Sequence, residues 1–139
     1  CADSITQLAE EGALPPGLDE QGAAELLGRC YPLHPLTLLI LPMLCQKIAQ
    51  NERTLFSYLG SHERWGLRER LTQMQMGQWI EPWELYDYFV LNQAGGCADA
   101  LTHHRWVEVV TALERFNSPP DTAAVRLLKT IGLLNLIGA

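Results

Sequence analysis

The segment Tyr31–Ser61, YPLHPLTLLILPMLCQKIAQNERTLFSYLGS, limits what the chain can fold into more than any other stretch. Pro32 and Pro35 fix the backbone on both sides of His34, and Pro35 suits the first turn of a helix, where its missing N–H costs nothing. A nearly unbroken apolar run follows from Leu36 to Leu44, ends in the polar cluster Gln50-Asn51-Glu52-Arg53, and resumes from Leu55 to Leu59. Helix, polar corner and helix make a hairpin whose corner is its only chemically rich point. The apolar run falls far short of the roughly 20 residues that cross a bilayer. It therefore has to bury itself against protein, and no membrane role is expected. Pro42 lies inside the first helix and should bend it, while Asn51 is placed to cap the second.

The other segments carry helical spacing as well. Residues 4–11 suit a short amphipathic helix before the Pro15-Pro16-Gly17 loop, and Asp19 is a good N-cap for a helix whose face is Ala23, Ala24, Leu26 and Leu27. A helix is expected over 64–75 and another from Glu81-Pro82, with Leu85, Tyr88, Phe89 and Asn92 on one side. The longest runs from Ala98 to Phe116 with Leu101, Trp106, Val109, Val110 and Leu113 inward. Ser118-Pro119-Pro120 breaks it, and Asp121 or Thr122 caps a last helix that is apolar nearly all round. Such a helix is either buried in a parent protein or covered by a partner. No stretch alternates long enough for a strand. The expected class is all-α, a multi-helix bundle divided into a tail (1–18), a helical domain (19–117) and a terminal apolar helix (118–139).

Composition narrows the function classes. A chain of 139 residues, 47% hydrophobic, can bury a sizeable core, and its charged fraction of 19% is low enough that some apolar surface should remain for a partner. The net charge of −6 argues against a general binder of phosphate backbones. Cys1, Cys30, Cys45 and Cys97 are scattered with no CxxC pair, which fits reduced thiols in a cytoplasmic protein and gives no zinc or redox motif. The chain starts on Cys1 and ends on an apolar helix, so it is expected to be a piece of a larger protein.

Candidate chemistry is sparse. No Gly-rich loop is followed by Lys and Ser or Thr, so a P-loop is missing from these residues and no cofactor is expected within them. Of His103, His104 and Glu108, only His104 and Glu108 share a helical face, and two ligands without a third make no metal site. Cys97 with His103 lacks an orienting acid. His34 reads as a structural residue whose ring could cap a helix or bond a carbonyl, and Glu84 and Asp87, near Tyr86 and Tyr88, as an acid pair or equally well as solvated helix charges. The arginines of RWGLRER (64–70) are largely offset by Glu63 and Glu69. Arg53 is the sharper case: at a helix start it can reach a phosphate bidentately, or pair with Glu52 or Glu63. Spacing alone favours the ion pair.

Two blocks, Tyr31-Pro32-Leu33-His34-Pro35 and Ala49-Gln50-Asn51-Glu52-Arg53-Thr54-Leu55-Phe56-Ser57-Tyr58-Leu59, resemble a pattern in large prokaryotic P-loop ATPases of the AAA+/STAND type, some from BREX-like phage-defence systems. Glu84-Leu85-Tyr86-Asp87-Tyr88-Phe89 and the run from Val125 to Ile137 match it in order, so the resemblance covers about residues 30–137. It implies a lid-like or linker region downstream of the nucleotide-binding core, leading into the first helix of a winged-helix unit. ATP and Mg would belong to the parent protein. The resemblance raises Arg53, with Asn51 and Glu52, to nucleotide-sensing candidates, because an arginine from such a lid often meets the γ-phosphate. The leading expectation is a non-catalytic regulatory domain of such an ATPase, contacting the rest of its chain or a protein partner through apolar helices. The alternative is a DNA-binding module using Arg126 and Lys129 of the last helix.

Overall fold

The computed structural model describes residues 2–49, 53–93, 99–120 and 122–138, and every regular element among them is helical. In chain order these are α1 (Ala2–Glu10), α2 (Glu20–Gly28), α3 (Pro35–Leu44), a π-helical turn (Cys45–Ala49), α4 (Arg53–Gly60), α5 (Leu67–Gln73), α6 (Pro82–Gln93), α7 (Ala100–Arg115) and α8 (Ala123–Ile137). The molecule is an all-α multi-helix bundle.

The apolar run behind Pro35 forms α3, with Thr37, Ile40, Leu41 and Leu44 buried at i, i+3, i+4 and i+7. Pro42 stays inside the helix, where it has no N–H to offer the Leu38 carbonyl. The departure from α geometry falls just beyond it. The Cys45 N–H is shared between the carbonyls of Leu41 and Pro42, and the chain then widens into the π-helical turn. That turn inserts Ile48 fully into the core before the corner.

A contact one residue long anchors the start of α3. The Ile80 N–H donates to the Pro32 carbonyl at 2.8 Å, and the His34 N–H donates back to the Ile80 carbonyl at 3.0 Å, a single parallel bridge between Leu33 and Ile80. The buried Thr37 hydroxyl donates to the same Ile80 carbonyl at 2.8 Å. The loop before α6 is thereby pinned to the loop before α3, and the Tyr31–Pro32 peptide between them is cis.

Around this anchor α6 and α8 pack together, with α7 against α8 and α3 behind both. Leu44, Ile48, Leu85, Tyr88, Phe89, Leu133 and Leu136 are fully buried in one core. Each such side chain contributes about 1.5–3 kcal/mol of apolar burial. Tyr58 and Tyr88 meet edge to face at 5.0 Å between centroids, and the Tyr88 hydroxyl donates to Glu63 at 2.7 Å, so the ring's polar end is satisfied. A smaller cluster of Ile5, Ala23 and Leu27 joins α1 to α2 and reaches α3 through Leu38.

Several expected positions move. Thr122 caps α8, and Leu133 and Leu136 complete the core that α3 and α6 share. Residues 1–18 include α1, whose Ile5 is buried against α2. On α2 only Ala23 and Leu27 turn inward, and Leu26 is exposed. Leu101 is exposed because the inward stripe of α7 is Thr102, Trp106 and Val109, spaced i, i+4, i+7. The helix expected over 64–75 shortens to Leu67–Gln73, leaving Trp65 outside it with a left-handed backbone, φ 67°.

Candidate functional site

Of the three nucleotide-sensing candidates, Asn51 and Glu52 lie outside the described residues, and Arg53 is described only as the first residue of α4. His34 is the N-cap of α3. Its Nδ1 accepts the Leu36 N–H at 3.2 Å, so the proton of the neutral ring sits on Nε2, and the ring faces Trp79 edge-on at 6.0 Å. Burial holds its pKa below the ordinary value of 6.5, opposed in part by the negative charge of Glu81. Protonation at Nδ1 would also break the cap. A histidine with a depressed folded pKa contributes stability that is full above 6.5 and lost as the pH falls from there through the folded value. Stability measured by urea unfolding should therefore fall between pH 7 and pH 5 more steeply in the native chain than in a His34→Asn variant, which keeps a capping oxygen and does not titrate. Equal pH slopes in the two proteins would remove the histidine from the account.

The two cations of the DNA-binding alternative lie on one side of α8 in different environments. Arg126 is exposed, with its guanidinium 4.6 Å above the Trp83 ring. Lys129 is buried; its Nζ donates to Asp87 Oδ1 at 2.7 Å and lies over the rings of Tyr86 and Trp83. Its charge is committed inside the bundle, and it is not placed to meet a phosphate. Asp87, read from sequence as a solvated charge, is the other half of this pair.

His103 is exposed, and His104 Nε2 meets Glu108 at 3.1 Å on the surface of α7. Cys97 and Cys1 lie outside the described residues. Among the described residues no three His, Cys, Asp or Glu side chains gather as a metal site would require. Cys45 is buried against the core, and burial pushes its thiol up to about 11, far from a reactive thiolate.

Two of the concave features among the described residues stand out by their linings. The first is a cleft of about 190 Å³ where α4, α5 and α6 meet, walled by Tyr58, Trp65 and Trp83 and edged by Glu69, Arg70, Glu84 and Asp87. Arg70 Nε donates to Glu84 Oε1, while Glu84 Oε2 accepts the Glu81 N–H at 2.8 Å, so Glu84 both pairs with α5 and closes the first turn of α6. Glu69 Oε2 accepts the Trp65 N–H at 2.5 Å and holds that residue in its left-handed conformation. The sequence carried one sign of this cleft: Trp83 and Asp87 are spaced i, i+4, which sets an indole and a carboxylate on one helical face. Nothing in the pattern announced that α5 would close over them.

The second is an open apolar groove of about 300 Å³ between α7 and α8, lined by Val109, Ala112, Leu113, Leu128, Ile131 and Gly132. Its edge continues onto Leu127 and Leu134, both exposed and spaced with Ile131 as one helical stripe. This stripe lies opposite the face that α8 turns to the core.

No described helix is long and apolar enough to cross a membrane. Comparison of the chain with protein-family models, with curated proteins and with solved structures gave no match.

Proposed function

We propose that the chain is a non-catalytic helical interaction module of a larger cytoplasmic P-loop ATPase, coupling nucleotide state to the arrangement of neighbouring domains. The observation that carries the interaction role is the doubly apolar character of α8. One face completes the core with Leu133 and Leu136, and the opposite face offers Leu127, Ile131 and Leu134 to solvent beside the groove on α7. A stripe of that kind on a half-exposed helix is best accounted for by another protein surface covering it. The ATPase context comes from the resemblance over residues 30–137, with ATP and Mg held by the parent's own nucleotide-binding core. Arg53, at the head of α4, is the residue assigned to nucleotide sensing.

The test begins with the coding region around this chain, where a GxxxxGK[ST] loop is expected upstream. In the whole protein, Ile131→Glu should leave the module folded, since the side chain is already exposed, within about 0.5 kcal/mol. The same change should lower or uncouple ATP turnover at least about fivefold, which corresponds to roughly 1 kcal/mol of coupling. Arg53→Ala should lower turnover more, by about 10³-fold if it meets the γ-phosphate in the transition state. A flanking region without a P-loop, or turnover unchanged in both variants, would overturn the reading.

A further inference from the structure

We propose that the cleft between α4, α5 and α6 is a binding site for a single organic cation, a guanidinium or alkylammonium group such as the end of an arginine or lysine side chain. The walls are what such a group needs. Trp65, Trp83 and Tyr58 supply π faces, and indole is the strongest cation–π partner among the side chains. Among the side chains that line the cleft, the carboxylates of Glu69, Glu84 and Asp87 outnumber the one cation, Arg70, which pairs with Glu84, while Lys129 pairs with Asp87. Glu69, beside Trp65, is the lining carboxylate whose contact is a backbone N–H rather than a cation. The volume of about 190 Å³ suits one side-chain end. The chain's own cations already use these indoles: Arg126 stacks over Trp83 at 4.6 Å and Arg64 over Trp65 at 5.2 Å. A guanidinium fits best, because its plane stacks on an indole while its edge donates to a carboxylate.

Trp65 points the same way. A bulky residue with φ 67° is strained by about 1–3 kcal/mol. Glycine would adopt this backbone freely. The indole stays 44% exposed at the mouth of the cleft, so core burial does not explain its presence there. A tryptophan kept where glycine would be more stable is accounted for by what its ring binds.

The experiment is a titration of the ¹⁵N-labelled chain, followed through the indole N–H resonances, with n-butylguanidinium and with its neutral isostere n-butylurea. Butylguanidinium should bind at least about tenfold more tightly than butylurea. Two variants separate binding from folding. Trp65→Gly should keep or raise the thermal midpoint, since it relieves the backbone, yet weaken butylguanidinium at least about tenfold. Glu69→Gln should erase most of the preference over butylurea. A blocked tripeptide, acetyl-Gly-Arg-Gly-amide, distinguishes the sources. Tighter binding than butylguanidinium assigns the site to a peptide arginine, weaker binding to a free small cation, and either supports a cation site. Equal affinity for butylguanidinium and butylurea, or binding unchanged in Trp65→Gly, would overturn the proposal. Neither outcome bears on α8 or on ATP turnover, so this site and the interaction module fail separately.

Discussion

Replacing Asp87 by alanine will destabilise the bundle by about 3 kcal/mol, the low end for removing one partner of a buried ion pair. The expectation rests on what is left behind. Lys129 is only 8% exposed, and its ammonium lies between the rings of Tyr86 and Trp83 with Asp87 Oδ1 at 2.7 Å. Without the carboxylate, the charge keeps two aromatic faces but loses the anionic partner it has among the described residues, and its stem must bend outward to reach water. That escape keeps the figure at 3 rather than 5 kcal/mol. The reverse change, Lys129→Met, should cost only about 1 kcal/mol, because the Asp87 side chain is more exposed, at 21%, and can be hydrated in place. The double variant should be little worse than Lys129→Met alone, giving a coupling of about 2–3 kcal/mol in a double-mutant cycle. In a thermal scan the Asp87→Ala loss amounts to a fall of about 10 °C. A cycle with no coupling would show that the pair is solvated in effect, and the burial of Lys129 would then have no energetic meaning.

The same pair shows how far residue patterns carry. Period and breaker residues were enough for α3, α6, α7 and α8, since Pro35, Pro82 and Pro119-Pro120 punctuate them and apolar spacing fills them. Asp19 and Thr122 cap where their side-chain oxygens can reach a free backbone N–H. What was not legible depends on which helices meet. Lys129 and Asp87 are 42 positions apart, and each taken alone is an ordinary helix charge. The Leu33–Ile80 bridge is a single residue on each side, far below the length at which alternation can be read. Leu101 was misplaced because α7 carries apolar residues on two adjacent faces, and only packing against α8 selects Trp106 and Val109 over it. The cleft fared likewise: its indoles and carboxylates come from α5, α6 and the loop at Trp65, and their convergence is set by the Arg70–Glu84 pair and a left-handed turn that no periodicity encodes.

The crossing of α7 and α8 predicts a second large effect, at a glycine that propensity alone would replace. Gly132 lies in the middle of α8, where alanine would ordinarily gain about 1 kcal/mol. Here an added Cβ would come within 2.5 Å of Val109 Cγ1, 3.1 Å of Cγ2 and 3.4 Å of Cβ. Valine is stiff at χ1 in a helix, so rotating Val109 exchanges one methyl for another and opens no space. Nor can α8 back away, because Leu133 and Leu136 on its other side are fully buried in the core shared with α3 and α6. Gly132→Ala should therefore cost about 1 kcal/mol net, overpacking offset by propensity, and Gly132→Val about 3 kcal/mol. In a Val109→Ala background, which removes both offending methyls, the penalty of Gly132→Val should shrink to about 1 kcal/mol, a coupling that urea unfolding at constant m value resolves. If Gly132→Val were tolerated within about 0.5 kcal/mol, or if Val109→Ala failed to suppress it, the close approach would not be what holds these helices together. The consequence reaches beyond stability. Gly132 and Val109 both line the apolar groove, so the spacing set at this crossing also sets the width of the surface that α7 and α8 offer a partner. A Gly132→Ala protein that stays folded with a wider groove should lose partner contact before it loses structure.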